Sequence, residues 1–362
     1  MIPAWSRAPL ARQRWRVPGR AVPALLLLPL LLLAWPLAAQ EATRLFGPPD
    51  APRRLTLRTT TDISVLAPTI RAFLDARTGL AIDYQQWGSN DLYALTAQDC
   101  AQGRVAAGLV LSSAVHQMVK LVNDGCAAPW RSEATQALPP GLRWRDEIWG
   151  LSSEPAVIVY NRDLLPPGDV PATRFDLLDL LRREDGAYDG KVATYDIETS
   201  GLGFLFAFMD SQEASTFGAL MEAFARSGAV ATCCSAEIID GVARGEYLLA
   251  YNVLGSYAAE QAAADPRLGI LTPRDYVLTL ARAAILPGPT ARADAGALLD
   301  FMLSPAGRRA LAASNLIIAP SDPDATRRGR RVAIPLGPTL LVAMDQARSQ
   351  RFIARWRQSF AQ

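Results

Sequence analysis

Histidine is nearly absent from this sequence: His116 is the only one in 362 residues. Any chemistry that runs on an imidazole base must use it, and it sits in a segment of ordinary helical pattern. No second histidine and no cysteine spacing of metal-ligand type accompany it, so no metal site is expected. Gly-x-Ser-x-Gly, Gly-x-x-x-x-Gly-Lys-Ser/Thr and His-Glu-x-x-His are all missing. Gly201-Leu-Gly203 lacks the third glycine and the acidic partner of a dinucleotide fingerprint. Net charge is also scarce, at +2, and its distribution matters. Five arginines (Arg7, Arg12, Arg14, Arg16, Arg20) precede the first acidic residue, Glu41, so taking those five from +2 leaves −3 on the rest of the chain. A body without a basic field excludes nucleic acid as the expected partner. With 50% apolar and 20% charged residues, disordered, collagen-like and small disulfide-scaffold classes are excluded too.

What is present begins with a leader. The basic stretch is followed by an apolar run from Ala21 to Ala39 that ends in small residues, the pattern of a secretory signal peptide. Pro23, Pro29 and Pro36 interrupt the run, which favours cleavage near Ala39 over the alternative, an uncleaved anchor. Export makes the four cysteines readable. Cys100 and Cys126 are expected to form a bridge worth roughly 3–4 kcal/mol in the loop-entropy account. Cys233 and Cys234 are adjacent, with Cα atoms about 3.8 Å apart, below the usual disulfide range. They stay open between a strained bridge and two structural thiols.

From Arg54 onward, short apolar strands alternate with amphipathic helices. Leu55–Thr59, Leu80–Tyr84, 106–111, 156–160, 191–195 and 247–251 read as strands, and Tyr276 to Ile285 as one further strand. Helices are expected over 65–77, from 115 to about 123, over 175–183, from about Ser200, over 214–227, 291–303 and 344–360. The alternation predicts an α/β fold in two units that face one cleft.

Three strand-to-helix turns share one design. Thr59-Thr60-Thr61-Asp62, Ser112-Ser113 and Thr199-Ser200-Gly201 each place hydroxyls and backbone N–H groups at a helix start. Pro68 is read as lying in the first turn of the helix after Asp62. Such turns receive anions, and in open parallel sheets they lie where ligands bind. Each alone is an ordinary cap; together they are candidate contacts of one anionic ligand. Tyr195, Tyr251 and Asn252 are further candidates. Glu154 is left between two roles, accepting a ligand hydroxyl or pairing with an arginine.

These segments resemble a known family. Thr59–Asp62, Ala156-Val-Ile-Val-Tyr-Asn161, Lys191–Tyr195 with Ser200-Gly201, Gly245-Glu-Tyr-Leu-Leu-Ala-Tyr-Asn252 and Leu299-Asp-Phe-Met-Leu-Ser-Pro-Ala-Gly307 are similar to periplasmic solute-binding proteins of ABC transporters. The likeness is to the two-lobed type II fold, in the subset that holds ferric-iron-binding and phosphoglycerate-transport regulatory proteins. It implies two mixed sheets flanked by helices, a periplasmic location and no enzymatic activity. It also implies solute capture between closing lobes and delivery to a membrane permease. Lobe I is expected over 40–155 with a return at 273–320, lobe II over 156–272, and 321–362 as an extension packed on the body. Ferric members use two consecutive tyrosines; the matching residues here are Tyr251-Asn252, and no Tyr-Tyr pair occurs. The expected ligand is therefore a small organic anion, a carboxylate or organophosphate, with iron as the alternative and no cofactor. A monomer is expected. The regulatory subset adds a membrane sensor kinase as a second partner, with Arg327–Arg331 and the last helix as contact surfaces. An exported enzyme using Cys233 or Cys234 is the remaining reading, and it lacks a base to activate the thiol.

Overall fold

The computed structural model describes residues 40–318 and 330–360; the leader and residues 327–329 of the basic cluster lie outside them. The chain runs β1 (Gln40–Phe46), β2 (Arg53–Thr59), α1 (Ile63–Leu74), β3 (Leu80–Trp87), α2 (Ser89–Ala101), β4 (Leu109–Ser112), α3 (Val115–Asn123), α4 (Glu133–Gln136), β5 (Arg143–Trp144) and β6 (Ile148–Gly150). It continues through β7 (Glu154–Asn161), α5 (Arg174–Leu181), β8 (Val192–Tyr195), α6 (Gly201–Glu213), α7 (Phe217–Arg226), β9 (Val230–Thr232) and α8 (Ser235–Arg244). Then come β10 (Leu249–Leu254), α9 (Gly255–Ala264), β11 (Leu268–Leu271), β12 (Tyr276–Leu280), β13 (Ala283–Ile285), α10 (Ala293–Leu303) and α11 (Pro305–Ala313). After the undescribed segment follow β14 (Arg330–Ala333) and α12 (Gln346–Phe360).

Two mixed seven-stranded sheets result, one per lobe. In lobe I the order is β1-β3-β2-β4-β13-β6-β5, with β2 parallel to β3 and β4. Leu55 and Leu57 on β2 and Leu80 and Ile82 on β3 are fully buried, so these strands need helices on both faces. Val65, Leu66, Ile70 and Phe73 of α1 supply one such cover at helical spacing. In lobe II the order is β14-β12-β7-β10-β8-β9, with β11 also on β7. β8 runs parallel to β10 and β9, each reached through a helix.

The strand expected over 276–285 is two strands. β12 pairs with β7 in lobe II, β13 pairs with β4 and β6 in lobe I, and Ala281-Arg282 between them joins the sheets. Residues 276–280, assigned above to the return into lobe I, thus belong to the lobe II sheet. The chain also crosses at Leu151–Ser153, where Leu151 N–H donates to Arg282 C=O at 2.9 Å. α1 begins at Ile63, so Pro68 falls in its second turn rather than its first. Ser64 and Pro68 are both exposed, leaving the carbonyl without its usual helical donor open to water.

The C-terminal segment touches both lobes. β14 extends the lobe II sheet and Arg330 pairs with Glu213. Leu336 N–H donates to Gly141 C=O in lobe I at 2.8 Å. α12 returns to lobe II, where Phe352 stacks on Phe217 at 5.9 Å and Trp356 is buried. Among the described residues no helix is long and apolar enough to cross a membrane. Cys100 and Cys126 are bonded, with Cα atoms 5.4 Å apart, and Cys233 is bonded to Cys234.

Candidate functional site

A cleft of about 880 Å³ lies between the lobes, lined from both sides. Its position follows from topology. Six strand-to-helix turns open on it, at the starts of α1, α2, α3 in lobe I and α6, α8, α9 in lobe II, represented by Asp62, Ser89, Ser113, Ser200, Ser235 and Leu254. Each follows the carboxyl end of its strand, so the positive ends of six helix dipoles gather around one volume.

The structure brings five of the predicted residues to the cleft wall: Thr60, Asp62, Ser113, Tyr195 and Ser200. Ser113 N–H donates to Thr60 Oγ1 at 3.0 Å, which ties the first and third turns of lobe I together. Ser200 Oγ accepts from Gly203 N–H at 3.0 Å and so caps α6. The Tyr195 hydroxyl pairs with that of Ser235. Thr61 and Ser112 lie just beneath. Thr61 Oγ1 accepts from Arg282 Nη1 at 3.0 Å, and Ser112 Oγ accepts from Ala114 N–H at 3.1 Å. Gly201 does not offer a free amide; its N–H donates to Ser89 Oγ at 2.9 Å across the cleft mouth. Asn90 Nδ2 donates nearby to the carbonyls of Glu198 and Thr199, at 2.9 and 3.1 Å.

Three predicted contacts are elsewhere. Glu154 takes the arginine role: it is fully buried and receives Arg282 Nε at 2.9 Å and Nη2 at 3.2 Å, with Ser152 Oγ donating at 2.6 Å and Ser256 Oγ also bonded. Tyr251 and Asn252 face into lobe II instead of the cleft. Tyr251 OH accepts from Arg174 Nε at 2.7 Å and donates to Asp210, to which Asn252 Nδ2 also donates at 3.0 Å. The reason is a bulge. The β10–β7 register shifts between Ala250 and Val253, and Asn252 sits at φ 57°. β10 runs on to Leu254, so the turn at its carboxyl end is three residues later than the sequence reading placed it.

Other wall residues were not placed in the site by sequence reasoning, among them Trp87, Ser89, Tyr257, Arg282 and the pair Cys233-Cys234. Arg282 carried a signal, a charged residue inside an apolar run. It is 1% exposed, and although burial opposes its charge, Glu154 and the Tyr257 and Tyr84 rings' hydroxyl groups raise its pKa. Asp62 is raised above the ordinary carboxylate value by burial, with the Tyr257 hydroxyl and Arg282 opposing. Burial likewise pushes the Tyr195 and Tyr257 phenols up. His116 is buried, stacked on Phe204 at 5.5 Å, and lowered to about 3, so it is neutral at physiological pH. Among the described residues no group of three or more His, Cys, Asp or Glu side chains could hold a metal ion.

The architecture is shared with solved solute-binding proteins. The substrate-binding protein of an ABC transporter from Agrobacterium tumefaciens is 29% identical, with a TM-score of 0.83 over 89% of this chain and 99% of that one. AfuA from Actinobacillus pleuropneumoniae, solved with fructose 6-phosphate, is 14% identical, with a TM-score of 0.66 over 86% and 99%. Iron-bound HitA from Pseudomonas aeruginosa is 16% identical, with a TM-score of 0.64 over 83% and 99%. The last two likenesses are of fold alone. No curated protein matches. The family model described as bacterial extracellular solute-binding protein matches residues 106–333, and the chain belongs to that family.

Proposed function

We propose that this protein is the periplasmic receptor of an ABC transporter and that its cleft captures a small hydroxylated organic anion, a carboxylate or a phosphate ester. The observation that carries the reading is the gathering of six helix N-termini, with Arg282 among them, around one interlobe volume. Net charge cannot supply the attraction, because Glu41, Asp62 and Glu237 also line the cleft and Glu154 neutralises Arg282. Local N–H groups and hydroxyls therefore bind the acidic end of the ligand. The carboxylates suit its hydroxyl groups, which donate to them. Delivery to a permease is what the family and the Agrobacterium relative favour.

Titration calorimetry near pH 7 tests this with tartrate, 3-phosphoglycerate and hexose 6-phosphate, alongside the uncharged hexose and ferric citrate. Saturable binding of an acidic, hydroxylated compound, with the uncharged parent at least about tenfold weaker, is the expected result. Binding of the free sugar as tightly as its phosphate, or of ferric citrate alone, overturns the anion reading.

A further inference from the structure

Cys233 and Cys234 are bonded to each other, and both line the cleft. They occupy the turn between β9 and α8, where Cys234 is the N-cap at φ 62°, ψ 129°. That conformation borders a region that only glycine enters readily, so a side-chain-bearing residue there must be held. An ordinary N-cap supplies a side-chain oxygen to an amide of the first turn. Cys234 supplies none, and the N–H groups of Ser235, Ala236 and Glu237 have no acceptor among the described residues. By contrast, Ser200 occupies the Gly203 amide of α6. A second group in the same cleft is also unmatched. Trp87 is 9% exposed, and its indole N–H is buried without an acceptor among the described residues. Donors without an acceptor among the described residues thus belong to cleft-lining residues of both lobes, Trp87 in lobe I and Ser235–Glu237 in lobe II.

We propose that the Cys233–Cys234 disulfide is a positioning and specificity-determining element of the cleft. The ring it closes holds residue 234 at positive φ, which keeps the first-turn amides of α8 uncapped for the acidic group of the ligand. The inference rests on the anion reading. It selects compact acidic groups, whose oxygens accept several amide N–H bonds at once, over neutral polyols.

Two double variants that leave Cys100 and Cys126 intact test it. C233S/C234S removes the ring and frees residue 234 to relax to negative φ. C233S/C234G removes the ring but leaves at position 234 the residue that best tolerates positive φ. With 3-phosphoglycerate, hexose 6-phosphate and tartrate as probes, C233S/C234S should bind at least about tenfold more weakly than wild type, the loss of one charge-assisted contact. C233S/C234G should recover most of that loss. Unchanged affinity in C233S/C234S overturns the proposal. Equal weakness of both variants overturns the positioning role, since the sulfur atoms themselves would then be what the ligand needs. If wild type binds none of the probes, the anion reading falls by itself. Amide hydrogen exchange at 235–237 then decides: altered exchange in C233S/C234S with recovery in C233S/C234G supports the positioning role, and identical exchange in all three proteins overturns it.

Discussion

Replacing Arg282 by methionine keeps most of the side-chain volume and removes the charge at the point where the sheets join. In the wild type the guanidinium makes two bonds to Glu154, at 2.9 and 3.2 Å, and one to Thr61 Oγ1, at 3.0 Å. Thr61 loses little, because Thr59 Oγ1 still bonds to it at 3.1 Å. Glu154 loses the one cation paired with it among the described residues. It is 0% exposed and is left with the hydroxyls of Ser152 and Ser256. An uncompensated buried charge of this kind costs about 3–5 kcal/mol, which at about 2–4 °C per kcal/mol lowers Tm by about 6–20 °C. Urea unfolding and thermal melts of the single variant measure the loss. The double variant R282M/E154L separates its origin: with both charges gone, stability should return to within about 1–2 kcal/mol of wild type.

Further outcomes follow from the same geometry. C100S/C126S releases a loop with a sequence separation of 26 residues and should lose about 3.5 kcal/mol by urea unfolding; no loss would mean that the denatured chain is already restrained there. Asn90→Ala removes both bonds to the Glu198 and Thr199 carbonyls at the cleft mouth. It should weaken ligand binding by about 5–30-fold, equivalent to about 1–2 kcal/mol, and raise the radius of gyration of the ligand-free protein in X-ray scattering. Asp62 has its native pKa raised above 3.8, so the native state holds its proton to higher pH than the unfolded chain does. The stability it contributes is fully present below 3.8 and is lost as pH rises through the native value. Asp62→Asn should therefore be more stable than wild type at neutral pH. Urea unfolding of wild type and D62N between pH 7 and 3.8 checks it: the advantage of D62N should shrink as pH falls and Asp62 takes up its proton, and an advantage that does not change with pH would overturn the burial argument.

Local pattern carried much of this fold and site. Leu55 and Leu57 alternate with polar residues and do form a buried strand, and Val65, Leu66, Ile70 and Phe73 do share one face of α1. The hydroxyl-bearing turns at Thr60, Ser113 and Ser200 were visible because a strand end followed by a capping residue is a short-range signal. The failures are long-range. Nothing in Leu249–Leu254 announces the bulge that sends Tyr251 and Asn252 toward Asp210, because a bulge depends on the partner strand. Tyr276 to Ile285 reads as one strand because its apolar residues run through Ala281 without a turn residue. Arg282 was the contrary evidence inside that run. A strand buried on both faces cannot hold an unpaired guanidinium, so either the strand breaks there or a carboxylate waits opposite. Both are true here, yet the carboxylate is Glu154, 128 residues earlier in the chain, at the start of β7 just after the other crossing between the lobes. Spacing along the chain cannot identify such a pair; only the topology that brings the two crossings together does.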